Sequence, residues 1–240
     1  MKHGVAAGCF FLLMSRGIVA QQTAAGPKHV PSYIDPSQIN YSALLAPPPK
    51  PGTPASNADF AAVHLAEKQR TPAEVSAAQK DDAEEDIFIY ANVLGPEFRA
   101  ADLPLTAAFS AHLRNESGVV NPALKKYFAR PRPFVADKTV HPVCAKTAEG
   151  SYPSGHTMVG YLTGLALAQM VPEKADAILE RAQQYAYNRV VCGVHYPTDT
   201  EASREIAFAM YGAMAASAKF QKDFAAARAE TRSHLHLPRE

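Results

Sequence analysis

The chain has 240 residues, with 24 Lys and Arg against 23 Asp and Glu for a formal net charge of +1. That balance, with no basic tail or stripe, argues against nucleic acid as the main partner, and the length suits one domain with a real core while leaving two cramped. Hydrophobic residues make up 47%, many of them alanine, and tryptophan is absent, which favours packed helices over a β sandwich.

The first residues read MKHGVAAGCFFLLMSRGIVAQQ. Lys2 supplies a positive start, Val5 to Met14 an apolar core, and Ile18-Val19-Ala20 a small-residue cleavage site. Residues 1–20 are therefore expected to be a signal peptide, removed on export to the periplasm or the medium. Met158 to Val171 and Ile206 to Ala218 are too short to span a bilayer comfortably, so no membrane insertion is expected once the signal is gone. Export would remove Cys9 and carry Cys144 and Cys192 into an oxidising compartment. Two cysteines there most simply form one disulfide.

Residues 21–56 are rich in proline (GPKHVPSYIDPSQINYSALLAPPPKPGTPAS), and regular helix is excluded over most of that length. An extended arm lying on the body is expected. From 57 onward the texture is helical and forms one domain to residue 240. Asn57 reads as a cap, and Thr71-Pro72-Ala73-Glu74 as a fresh start with its acidic residue in the first turn. The stretch from Ala101 reads as two helices split near Ser117-Gly118, the second starting at Asn121-Pro122 and ending before Pro131. A loop is expected from Val135 to Ser154. A helix capped by Ser154 follows, then one closed by Gly193, then one opened by Pro197 and carried through to Phe220. No segment alternates as a strand would, and the fold class is all-α.

Polar chemistry collects in three places beside these apolar helices. The first is Lys125 with Arg132-Pro133 in KKYFARPRP. The second is GSYPSGHT, where Ser154 caps a helix, Gly155 allows close backbone approach and His156 stands alongside. The third is NRVVCGVHYPTD, with Arg189, His195 and Asp199. Taken singly, each has an ordinary structural reading: basic residues ending a helix, a capped turn with an incidental histidine, an acid offsetting a helix dipole. Together, two arginines, a lysine, a hydroxyl and free helix N–H groups make a pocket for a tetrahedral dianion. Two histidines give it a nucleophile and an acid, and Asp199, one helical turn after His195, can hold a ring tautomer. No run has the spacing of a metal site, so no metal or other cofactor is expected.

Lys-x6-Arg-Pro, Pro-Ser-Gly-His and Arg-x5-His-x3-Asp, in this order, resemble the signature of the type-2 phosphatidic acid phosphatase superfamily. The full octet GSYPSGHT is similar to the mark of the bacterial class A nonspecific acid phosphatases. The likeness runs from about Pro47 to Phe224. It implies a single-domain helical bundle of the type shared with vanadium haloperoxidases, acting on small phosphate monoesters of broad range. His195 would attack phosphorus, Asp199 would orient it, and His156 would serve as acid and then base. Lys125, Arg132, Ser154, Gly155 and Arg189 would hold the phosphoryl oxygens. Transfer to other alcohols is expected wherever an acceptor outcompetes water, and the family likeness implies a homo-oligomer. Asn188 stands where the family usually carries serine. Two other readings share these motifs: a vanadate-holding haloperoxidase, and a phosphate-binding protein without turnover.

Overall fold

Proline and small hydroxyl residues set the helix starts. In the computed structural model, which describes Met1 and residues 29–238, the elements run α1 (Tyr41–Leu44), α2 (Pro54–Gln69), α3 (Pro72–Ala83), α4 (Ala91–Leu94), α5 (Pro104–Phe128), α6 (Pro133–Ala136), α7 (Gly155–Met170), α8 (Ala175–Val191), α9 (Pro197–Ala215) and α10 (Ala218–His234). Pro54, Pro72, Pro104, Pro133 and Pro197 each open a helix, where the missing N–H would have no intrahelical partner anyway. Thr71 and Glu74 form the expected capping box: the Thr71 hydroxyl accepts from Glu74 N–H, and the Glu74 carboxylate from Thr71 N–H. No strand occurs among the described residues, so the fold is all-α. The expected signal peptide and Cys9 lie outside them.

The centre of the molecule is α7. Leucine, methionine and tyrosine alternate with threonine and glycine, and the helix is buried on nearly every side, against α5, α8 and α9. Two glycines make this possible. A Cβ on Gly160 would stand 2.6 Å from the Tyr185 ring, and one on Gly164 would collide with the Tyr90 hydroxyl. That hydroxyl donates to Gly160 O at 2.6 Å. No helix among the described residues is long and apolar enough to cross a membrane.

The expected boundaries need four corrections. Helix α2 starts at Pro54, capped by Thr53, rather than at Asn57. The same Thr-Pro signal that opens α3 opens α2. The stretch expected to split near Gly118 is one 25-residue helix, α5, with Pro122 inside it. A proline in a helix interior costs about 3 kcal/mol. Against that, Phe109, Leu113, Val120 and Leu124 all enter the core from this one helix, and each fully buried side chain of this size contributes about 1.5–3 kcal/mol. Packing wins. Conversely, the helix expected from Pro197 through Phe220 is broken at Ser217, which caps α10 by accepting from Phe220 N–H. Within the expected loop 135–154, α6 extends to Ala136.

From residue 29 to the start of α2 the chain is mostly without regular structure, with one 3-10 turn at Pro36–Gln38 and α1. Tyr33, Tyr41 and Leu45 are buried in the main core. Glu116 of α5 pins the segment by accepting the N–H groups of Ser32 at 2.5 Å and Tyr33 at 2.6 Å.

Cys144 and Cys192 form a disulfide, Cα atoms 5.2 Å apart, that closes 48 residues of chain. It ties the loop before α7 to the end of α8, beside the Val143 N–H to Cys192 carbonyl bond. Closing a loop of that length contributes roughly 4 kcal/mol by chain entropy. Thiol titration under denaturing, non-reducing conditions should detect none beyond Cys9, and two reactive thiols at 144 and 192 would contradict this.

Candidate active site

The N-terminus of α7 sits in the middle of the three motif segments. Ser154 is its N-cap, accepting from Thr157 N–H at 3.4 Å, and the Tyr152–Pro153 peptide just before it is cis. The residues ahead of the cap are tied to the other two segments. Gly150 O accepts from Lys125 Nζ at 2.7 Å, Ser151 N–H donates to Arg130 O at 2.8 Å, and Ser154 N–H donates to Asp199 O at 3.3 Å. The octet thus fixes the α7 start to the end of α5 and the start of α9.

His195 lies in the turn between α8 and α9, 1% exposed. Its Nε2 faces Arg132 Nη1 at 3.1 Å, and its Nδ1 faces Asp199 Oδ2 at 3.3 Å. A guanidinium only donates, so Nε2 must carry the lone pair and Nδ1 the proton. This tautomer leaves a nucleophilic nitrogen toward the cleft. Burial, then the cations Arg132, Lys125 and Arg189, hold the imidazole pKa well below its ordinary value, so the lone pair persists in mildly acidic solution.

Asp199 is fully buried and accepts from four directions. Besides His195, Ser151 Oγ donates at 2.5 Å, Tyr196 N–H at 2.9 Å and Arg130 Nη1 at 2.7 Å. Burial lifts its carboxyl above the ordinary value, and Arg130, Ser151 and the Tyr196 N–H pull it back toward carboxylate. Arg130 also grips Asp59 at 2.6 Å through Nη2 and stacks 3.9 Å from the centre of the Tyr196 ring. Thr198 joins them, its hydroxyl 2.5 Å from Asp59 Oδ2.

The cations converge from three elements. Lys125 comes from the last turn of α5, Arg132 from the cap of α6 and Arg189 from the last turn of α8. Arg132 is oriented by the carbonyls of Glu149 and Val194, both at 3.0 Å. Burial, and Arg132 after it, push the Lys125 ammonium down to about 8. Arg189 Nη1 meets Asp82 Oδ1 at 2.6 Å, whereas its Nε is buried with no hydrogen-bond partner. His156 Nε2 lies 3.2 Å from the Asp82 carbonyl, which only accepts, so this nitrogen carries a proton here. Burial and Arg189 lower the His156 pKa.

Of the eight expected catalytic and phosphate-binding residues, Lys125, Arg132, Gly155, His156, Arg189 and His195 line one cleft of about 270 Å³, along with Asn121, Asp82, Glu85 and Glu149. Ser154 lies completely buried under the helix start and Asp199 behind His195. Asn188 does not reach the cleft. Its amide donates to Asp81 at 2.7 Å and accepts from Gln184 at 2.8 Å, locking α3 to α8. Asp82, Cys144 and Cys192 come close together, but the sulfurs are joined to each other and the carboxylate is taken by Arg189, a poor donor set for a metal.

Sequence reasoning missed Arg130, Asp59, Ser151 and Asn121. Arg130 and Arg132 flank Pro131 in ARPRP, just after Ala129 in the left-handed region, and there Arg132 reaches His195 from the cleft while Arg130 supports Asp199 from behind. The available signal was the second arginine of ARPRP itself, a guanidinium beyond the one the motif uses.

The PAP2 superfamily profile matches residues 104–223, which carry all three motifs. The chain is 32% identical over 236 residues to a non-specific acid phosphatase of Salmonella typhi, covering 95% of this chain and 93% of the relative. The chain belongs to the PAP2 superfamily. An acid phosphatase of Zymomonas mobilis is 30% identical, with 94% and 89% covered, and a non-specific acid phosphatase of Providencia stuartii 29% identical, with 82% and 84% covered. These relatives place it among the class A acid phosphatases, which are phosphoric monoester hydrolases. Among solved structures, a transmembrane PAP2-type phosphatidylglycerolphosphate phosphatase of Bacillus subtilis shares the fold, with a TM-score of 0.50 at 18% identity over 73% of this chain and 89% of that one.

Proposed function

We propose that this PAP2 enzyme is an exported acid phosphatase that hydrolyses small phosphate monoesters of broad range through a phosphohistidine, without a metal. The observation that carries this reading is the His195 pair: a buried imidazole with Nδ1 on Asp199 and its lone-pair Nε2 turned toward Arg132 in a cationic cleft. The phosphoryl group would rest among Lys125, Arg132, Arg189, the Ser154 hydroxyl and Gly155 N–H, and the unpartnered Nε of Arg189 supplies a donor for it. The Nε2 lone pair of His195 forms the N–P bond as the P–O bond to the leaving group breaks, and His156, as the imidazolium, delivers one proton to the departing oxygen and becomes neutral. Water then attacks phosphorus, giving a proton to His156, and the N–P electron pair returns to Nε2. Asp199 stabilises the imidazole throughout. Such chemistry depends on positioning and charge neutralisation, which the protein cations supply. An alcohol in place of water would give phosphotransfer.

Phosphate release from a panel of monoesters tests the reading. Activity should survive EDTA treatment and desalting, and kcat/KM on an alkyl phosphate should fall first as pH rises through the lowered His156 pKa, where the free enzyme loses its acid, and again through about 8, where Lys125 loses its charge. A rate abolished by EDTA and restored by zinc or magnesium would overturn the metal-independent mechanism.

A further inference from the structure

We propose that Asn121 is an additional ligand for the phosphoryl group. This rests on the phosphatase reading and extends its binding site by one residue. Asn121 lies one turn before Lys125 on α5, so both present side chains to the same cleft. The residue is 8% exposed, and its amide makes no hydrogen bond among the described residues, so its Nδ2 donor is uncommitted. Leaving such a group unsatisfied is costly, and unsatisfied buried amides in a folded protein call for a physical reason.

Its position supplies one. The Nδ2 atom stands 2.7 Å from where a Cβ of Gly155 would be, so it lies directly against the first residue of α7. Only glycine leaves room for the amide there. Lys125, Arg132 and Arg189 close the other sides of the same cleft. An anion among those cations is within the neighbourhood of an amide donor that nothing else uses. Local sequence points the same way. Asn121-Pro122 is an unfavourable pair for a helix interior, since asparagine competes for backbone bonds and proline removes one. A chain that tolerates both, a turn before its phosphate-binding lysine, breaks a local rule where a functional site can explain it. The chemistry called for is a neutral donor to a phosphoryl oxygen.

Titration calorimetry with inorganic phosphate, alongside steady-state kinetics on one alkyl phosphate, tests this on the full chain. A hydrogen bond to a charged group is worth about tenfold or more in affinity. Asn121→Ala should therefore weaken phosphate binding and raise KM about tenfold or more with kcat nearly unchanged, because ground state and transition state share the contact. Asn121→Asp keeps the side-chain volume but replaces a donor with a negative charge, so it should weaken phosphate further. It carries the test should the alanine variant fold poorly. A purely structural amide would shift thermal stability and leave phosphate affinity alone. If wild type binds phosphate and both variants bind it as tightly, the proposal is overturned by itself. If wild type neither binds phosphate nor hydrolyses the monoester, the functional reading falls and takes this ligand with it.

Discussion

Replacing His195 with alanine should reduce turnover by about 10⁶-fold whatever the leaving group, the scale seen when a nucleophile acting as part of a unit is removed. Without its Nε2 no phosphoenzyme can form, and Lys125, Arg132 and Arg189 can still bind substrate. KM should consequently change far less than kcat. His156→Ala should behave differently. An alkyl phosphate expels a poor alkoxide and needs a proton in the transition state, so its rate should fall about 10²–10⁴-fold, the usual worth of general acid catalysis. A nitrophenyl phosphate expels a stabilised phenoxide and should form the phosphoenzyme nearly as fast as before. Hydrolysis of that intermediate would still lack its base. A burst of nitrophenol followed by slow turnover is expected, with phosphate trapped on His195 by rapid quench. Label on Ser154, or identical responses of the two variants to leaving-group quality, would remove the assigned roles.

The candidate site was legible in the sequence because three short motifs keep fixed spacings, and because the geometry of each is local. Ser154-Gly155-His156 announces a helix start, and Asp199 one turn after His195 announces a contact across that turn. The helix boundaries were less legible where tertiary packing overrode propensity. Pro122 would end a solitary helix, but a core face running from Phe109 to Leu124 carries α5 through it. Ser217 caps α10 inside an alanine-rich run with no glycine or proline at the break itself. The support behind the site was hidden for another reason. Arg130 and Asp59 are 71 residues apart and Arg130 and Asp199 69, and only the packing of α2 and α9 beside the end of α5 brings them together. Asn121 escaped notice because an asparagine before proline reads first as a break in the helix.

That hidden support gives the second large effect. Arg130 is the guanidinium between two nearly inaccessible carboxylates, Asp59 at 2.6 Å and Asp199 at 2.7 Å. A buried ion pair is worth little compared with a hydrophobic replacement of the whole group, but removing one partner leaves uncompensated charge. Arg130→Met therefore strands two carboxylates and should cost about 3–5 kcal/mol, read as a lower denaturation midpoint at unchanged slope. Part of that loss is relieved by protonation, so Asp199 should also become a weaker partner for His195 Nδ1, and kcat should drop in the molecules that remain folded. Arg130→Lys supplies the charge without the planar fork, so it cannot serve both carboxylates in the same geometry and should fall between wild type and Arg130→Met. Adding Asp59→Asn to Arg130→Met removes one stranded charge. The double variant should then be more stable than the sum of the single effects predicts, a coupling within the 0.5–3 kcal/mol range for groups in one network. Strict additivity, or an Arg130→Met enzyme with wild-type stability and turnover, would mean that Asp199 is held in place by Ser151 and the Tyr196 N–H alone.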